Sequence, residues 1–238
     1  MVYYTGDTHG DIEKIRQFAY KFHLSKDDTI VILGDAGYNY AGERSNDSGK
    51  KRKIAKMNCN VLCIHGNHEK RPCHIPSYKT KLWNGGLVYY EDQYPNLFFA
   101  IDGEVYDLDG YKSIVIGGAY SIDKFERLLT FSPWFSDEQP DDAIKAKVVS
   151  VLDSLDWKID QVLTHTCPLK YEPFDAFIPG RDRSSIDSTT EKWLDMIEDK
   201  LDYGSWKCGH FHIDRLVDKL RFMFNDFYVN PIEVSDNE

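Results

Sequence analysis

Three short apolar runs that stop at the same kind of residue constrain this chain more than any other feature. Val2-Tyr3-Tyr4-Thr5 stops at Gly6-Asp7, Thr29-Ile30-Val31-Ile32-Leu33 at Gly34-Asp35, and Val61-Leu62-Cys63-Ile64-His65 at Gly66-Asn67-His68. Runs this rich in β-branched and aliphatic residues suit strands buried on both faces. Between the first two, Ile12, Ile15, Phe18, Ala19 and Phe22 recur at helical spacing, so the pattern predicts a helix over Asp11–Leu24 with an acidic first turn. Strand, helix and strand within about thirty residues make a βαβ unit with parallel strands. Parallel strands share one carboxyl edge, where open α/β folds bind ligands, so the three polar clusters should converge there.

Further along, Leu87–Tyr90, Leu97–Ile101, Glu104–Leu108 and Ser113–Ile116 are β-prone runs broken by turn signals such as Asp102-Gly103 and Asp109-Gly110. They read as a meander extending into a second sheet. Ile144, Val148, Val151 and Leu155 form the apolar stripe of a helix over Asp141–Leu155, and the strand Gln161–Thr164 ends at His165. Residues Thr166–Ser188 carry three prolines and little periodicity, the mark of a functional loop. Ser188 and Glu191 read as a capping box opening a helix to Leu201, and Ser205–Cys208 leads into Gly209-His210-Phe211-His212. The expected organisation is a single α/β domain over 1–232, with a frayed tail over 233–238.

Charge and cysteine content narrow the setting. The formal charge of −10 opposes non-specific attachment to nucleic acid or anionic membrane, because both require a positive field. Apolar runs fall well short of the ~20 residues needed to span a bilayer, and a strand at Val2–Thr5 leaves no room for a cleaved signal. Five cysteines suit free thiols, so the expected location is the cytoplasm, without a membrane partner.

At the strand ends stand Asp7, His9, Asp35, Asn67, His68, His165, His210 and His212, which include five of the eight histidines. Carboxylate, imidazole and amide oxygen together suit Mn²⁺, Fe²⁺ or Zn²⁺. One ion needs three or four protein ligands, whereas two ions sharing a carboxylate need about seven or eight. The inventory matches the pair, with Asp35 as the natural bridge.

Five blocks now stand in order: Gly6-Asp7-Thr8-His9-Gly10, Gly34-Asp35, Gly66-Asn67-His68-Glu69, His165 and Gly209-His210-Phe211-His212. In this they resemble the calcineurin-like metallophosphoesterases, across residues 6–212. The resemblance implies a two-layered β sandwich flanked by helices, with a binuclear centre on one edge. It assigns Asp7, His9, Asp35 and His212 to one ion, and Asp35, Asn67, His165 and His210 to the other. The implied cofactors are two divalent ions, Mn²⁺ first and Fe, Zn or Ni as alternatives. The implied reaction is hydrolysis of a phosphate ester by a hydroxide held between the ions. His68 is the candidate general acid to the leaving oxygen, and Glu69 either supports His68 or caps the following helix.

The phosphoprotein phosphatase branch continues its second block as Gly-Asp-x-Val-Asp-Arg-Gly. This chain has Gly34-Asp35-Ala36-Gly37-Tyr38-Asn39-Tyr40, which lacks that arginine and points away from protein substrates. The alternative is a nucleotide or RNA phosphodiesterase. It draws on the basic run Lys50-Lys51-Arg52-Lys53 with Lys56, otherwise a solvated helix face, and on Tyr38 and Tyr40 as stacking groups. Arg71, Arg181 and Arg183 are candidate phosphate contacts. His23, His65 and His74 fall outside the pattern and read as structural. Residues 117–134 are richer in small and aromatic residues than a plain connector and resemble a segment of a bacterial and phage subgroup of these phosphoesterases; the alternative is a packing turn between the sheets. A non-catalytic scaffold should have lost ligands or His68, and all are present.

Overall fold

The computed structural model describes residues 1–40, 46–177 and 186–231. The expected tail and Arg181 and Arg183 lie outside the described residues. The chain forms β1 (Val2–Thr5), α1 (Ile12–Lys21), β2 (Thr29–Ile32), α2 (Asp47–Ile54), β3 (Asn60–Cys63), β4 (Lys79–Trp83), β5 (Gly86–Tyr90) and β6 (Leu97–Ala100). There follow β7 (Val105–Leu108), β8 (Tyr111–Ile116), α3 (Lys124–Leu129), α4 (Asp142–Ser154), β9 (Lys158–Thr164) and α5 (Thr189–Glu198). The last strands are β10 (Asp202–Cys208), β11 (Arg215–Val217), β12 (Leu220–Phe222) and β13 (Tyr228–Val229).

One sheet runs β13-β1-β2-β3-β6-β5-β4 and the other β11-β12-β10-β9-β8-β7. Tyr4, Val31, Leu62 and Phe98 of the first sheet pack against Val115 and Leu163 of the second to fill the space between them. The outer face of the first sheet is covered by α1 and α2 through Ile12, Ile15 and Ile54. On the second, Val148 and Leu152 of α4 and Leu194 and Ile197 of α5 do the same. This is the expected two-layered sandwich flanked by helices. Asp11 caps α1 by accepting from the backbone N–H of Glu13 and Lys14, which sets where the chain turns out of the first polar cluster.

Register decides where function can gather. In the first sheet Thr5 pairs with Ile32 and Ile32 with Cys63, all parallel. In the second, Ile116 pairs with Thr164 and Thr164 with Cys208, again parallel. Six strands therefore end level on two sheets, and the residues after them share one edge.

Several expectations need correction. The meander does not pass wholly into the second sheet. β6 pairs parallel with β3 and β5 antiparallel with β6, so both extend the first sheet, and the second begins only at β7. The half-exposed, lysine-bearing β4 also belongs to the first sheet as its edge strand, where such residues are tolerated. Ser188 precedes α5 without a side-chain cap; the Asp187 carboxylate instead accepts from the backbone and hydroxyl of Thr189. The basic run is only partly a solvated face. Lys51 is buried against Glu91 at 2.7 Å, and Lys50 donates to the Gly37 carbonyl, while Arg52, Lys53 and Lys56 are exposed. Among the described residues no helix is long and apolar enough to cross a membrane.

A lysine is also buried between the sheets. Lys207 donates to Gln161 Oε1 at 2.6 Å and Ser205 Oγ at 3.1 Å, and burial brings it down to about 7. Between about pH 7 and the ordinary lysine value the unfolded chain holds a proton that the folded chain lacks, so stability rises with pH across that window. The contribution has a ceiling of roughly 5 kcal/mol at ~1.4 kcal/mol per pH unit. Lys207→Met should flatten this rise. Urea unfolding of both proteins between pH 7 and 10 measures it, and parallel curves would show that Lys207 is not the source.

Candidate metal centre

Three of the strand ends, those of β1, β2 and β10, deliver polar groups through unusual backbone. His9, Asp35, His210 and His212 have φ of 46°, 45°, 66° and 53°, a left-handed region that non-glycine residues enter at a cost. Four such residues in one cluster mark strain held in place by function. Glycine makes the close approaches possible. A Cβ at Gly34 would overlap His165 Nδ1, and one at Gly66 would overlap Asp35 Oδ1.

The side chains then converge. Asp7 Oδ1 accepts from the His210 N–H at 2.8 Å, and its Oδ2 lies 3.1 Å from His212 Nε2 and 3.7 Å from His9 Nε2. His9 and His212 bring their Nε2 atoms to 3.0 Å from each other. Asp35 Oδ1 accepts from the His68 N–H at 2.8 Å, while Oδ2 stands 3.8 Å from both His165 Nε2 and His68 Nδ1. His165 is fully buried, with Nδ1 2.9 Å from the Leu33 carbonyl and Nε2 2.8 Å from Asn67 Oδ1. His210 stacks edge-on to His165 with ring centroids 5.0 Å apart.

Proton positions follow from these partners. A carbonyl can only accept, so His165 Nδ1 carries the hydrogen and Nε2 presents a lone pair. Asn67 Nδ2 donates to Ser121 Oγ at 2.9 Å, which turns its carbonyl oxygen toward that same lone pair. Asn67 Oδ1 at 2.8 Å and Asp35 Oδ2 at 3.8 Å both face His165 Nε2, a donor set suited to a cation. Three groupings have ligand atoms within 4.8 Å of one another: Asp7, His9 and His212; His9, Asp35 and His68; and Asp7, Asp35 and His165. The donor chemistry thus fits divalent metal.

Electrostatics agree. Burial raises Asp7, but the His212 hydrogen bond, nearby His165 and the His210 N–H outweigh it and hold the carboxyl below the ordinary range. Burial lowers His210 to about 3, which keeps it a neutral donor, and the Asp7 hydrogen bond raises His212. Burial also lowers His68.

Other expected site residues stand elsewhere. Arg71 is not at the cluster. It is buried, its Nη1 paired with Asp102 and its Nε donating to the Asp137 carbonyl at 2.9 Å, beside a separate cavity. Tyr38 is fully buried with Ile15 and Ile54 under α1 and α2, where it cannot stack on a substrate. Glu69 neither supports His68 nor caps a helix; its Oε1 accepts from the Gly66 N–H, and burial pushes it to about 8.

Residues 117–134 do more than pack. They follow β8 onto the same edge and carry Ser121, Asp123 and Arg127 into the site. Arg127 Nη2 lies 3.0 Å from His68 Nδ1, and its Nε donates to Asp123 Oδ2 at 2.7 Å. Asp123 Oδ1 stands 3.6 Å from His68 Nε2, and Tyr40 OH accepts from Arg127 at 3.2 Å. The signal was available: Ile116-Gly117 repeats the pattern of an apolar run stopping at glycine.

A β sandwich that gathers carboxylates, histidines and an asparagine at one edge defines a metal-binding hydrolase. The chain belongs to the calcineurin-like phosphoesterase family, whose profile matches residues 1–214. Metal-dependent hydrolysis of phosphate esters is the activity that membership implies. No curated protein matches the chain.

Proposed function

We propose that the protein is a binuclear phosphoesterase, preferentially manganese-dependent, with Asp7, His9, Asp35 and His212 on one ion and Asp35, Asn67, His165 and His210 on the other. The observation that carries this reading is the crowding of ligand-type atoms: His9 Nε2 to His212 Nε2 at 3.0 Å, and His165 Nε2 to Asn67 Oδ1 at 2.8 Å. Bound divalent ions supply Lewis acidity toward the phosphoryl oxygens and lower the pKa of water toward neutrality.

The chain's own groups do the rest. Asp7 and Asp35 are both nearly fully buried, where water screens a carboxylate from a bound cation only weakly. His68 is partly open to the cavity and reaches the leaving oxygen, to which it gives a proton. Arg127 Nη2 lies 3.0 Å from one ring nitrogen and 3.3 Å from the other, and Asp123 holds the guanidinium in that place. The cysteines Cys59, Cys63, Cys73, Cys167 and Cys208 are free, which supports a reducing, cytoplasmic setting. Lys51 and Lys50 are already engaged, so the basic run gives little support to an RNA substrate.

The test is direct. Metal-stripped protein reloaded with Mn²⁺ should bind two equivalents by elemental analysis and hydrolyse p-nitrophenyl phosphate. Binding of less than one equivalent would refute the reading. Preference for bis-p-nitrophenyl phosphate would make it a diesterase. As a positioning residue, Arg127 has its own signature. Arg127→Met should lower kcat about tenfold with KM little changed, and Arg127→Lys should recover only part, because one ammonium cannot meet both His68 and Asp123. A rise in KM alone would show that Arg127 holds the phosphate instead.

A further inference from the structure

We propose that the cavity beside the metal centre selects phosphate esters whose alcohol carries an alkylammonium group, with Glu191 as the carboxylate that meets the cation. The inference rests on the phosphoesterase reading and names the substrate class of that site.

The cavity is about 470 Å³, the size of a small-molecule pocket. The donor cluster lines it together with Phe177, Phe211, Tyr120, Ile122, Ile186 and Ala176. The rings of Phe177 and Phe211 lie 6.0 Å apart, tilted by 36°. Into this hydrocarbon wall come the carboxylates of Glu172, Asp187 and Glu191. Asp187 is committed, accepting from Gln139 Nε2 and the Thr189 N–H, each at 3.0 Å.

Glu191 differs. It is only 5% exposed, and its Oε2 has no hydrogen-bond partner. Buried polar atoms are seldom left so, and a buried carboxylate least of all. Its place in the first turn of α5 favours negative charge but supplies no partner for that oxygen. Burial pushes its carboxyl up to about 7 against hydrogen bonds from its own backbone and Thr166, and the charges of Glu172 and Asp187 add to the rise.

An alkylammonium group answers both halves of the wall. Its charge meets the carboxylate, and its methyl or methylene surface lies on aromatic rings, whose faces attract cations. A sugar would need several hydrogen-bonding side chains, and apart from Tyr120 and the acids the described wall is hydrocarbon. A polyphosphate tail would face three carboxylates.

The experiment compares phosphocholine with 3,3-dimethylbutyl phosphate, its uncharged carbon isostere, on Mn²⁺-loaded protein. Wild type should favour phosphocholine at least about tenfold in kcat/KM. Glu191→Gln, checked for folding by its circular dichroism melt, should bring the ratio near one. A wild-type ratio near one, with p-nitrophenyl phosphate still hydrolysed, overturns the inference and leaves the phosphoesterase reading standing. A ratio unchanged in Glu191→Gln removes Glu191 from the role. Hydrolysis of none of the three esters overturns the phosphoesterase reading instead. Calorimetric titration with the two alkyl phosphates then decides the pocket: about tenfold tighter phosphocholine supports it, and equal affinities refute it.

Discussion

His68→Asn should keep both metal equivalents and lose a factor of about 10²–10⁴ in kcat, the usual contribution of a positioned proton donor. The backbone around His68 is anchored independently of its ring, because the His68 N–H donates to Asp35 Oδ1 at 2.8 Å. Truncating the imidazole therefore leaves the carboxylate of Asp35 in place. The ring itself meets Arg127 Nη2, and its nitrogens take no part in the contact of His165 with Asn67. There is a rival reading. His68 also groups with His9 and Asp35 within metal-binding distance. If it were a ligand, His68→Asn would lose metal together with turnover. Elemental analysis beside kinetics on an alkyl phosphate, whose leaving group needs a proton, separates the two, and wild-type kcat in the variant would remove His68 from the chemistry altogether. The loss should also shrink for esters with good leaving groups, since these need a proton donor least.

The cluster of donors was legible in the sequence because each block is local. An apolar strand, a glycine and a ligand are neighbours in the chain, and parallel register alone brings Asp7, Asp35 and Asn67 to one edge. What failed was whatever depends on partners distant in sequence. Arg71 follows the Asn-His-Glu block directly, yet Asp102, 31 residues away, draws it into a buried ion pair. Tyr38 follows a candidate ligand, but α1 and α2 close over it. Arg127 lies 59 residues beyond His68, and only the return of β8 to the shared edge brings the two together. The run Leu97–Ala100 would suit either sheet, and its parallel pairing with β3 decides the question. Local chemistry was readable; the choice among distant partners was made by packing.

The most damaging single change should be Asp35→Asn. Asp35 is 2% exposed, and it belongs to two of the three groupings that could hold an ion. Its backbone carbonyl also accepts from the His9 N–H at 2.8 Å, tying the second strand end to the first. Asparagine keeps that carbonyl and can still accept from His68, so the fold should survive. The lost charge is another matter. If two divalent ions face Asp7 and Asp35, removing one carboxylate leaves a single negative charge to offset four positive ones, in a site where water screens little. At least one equivalent of metal should be lost, and activity should drop more than about 10³-fold. Stability should move differently with and without metal. Stripped wild-type protein buries the Asp35 carboxyl, 2% exposed, with no cation to offset its desolvation. The stripped variant, free of that cost, should melt no lower than stripped wild type. Adding Mn²⁺ should stabilise wild type by about 2.7 kcal/mol at a hundredfold excess over Kd, and the variant by much less. Equal metal-induced shifts in the two melting curves would mean that Asp35 holds no ion, and that the convergence of donors on this edge serves packing alone.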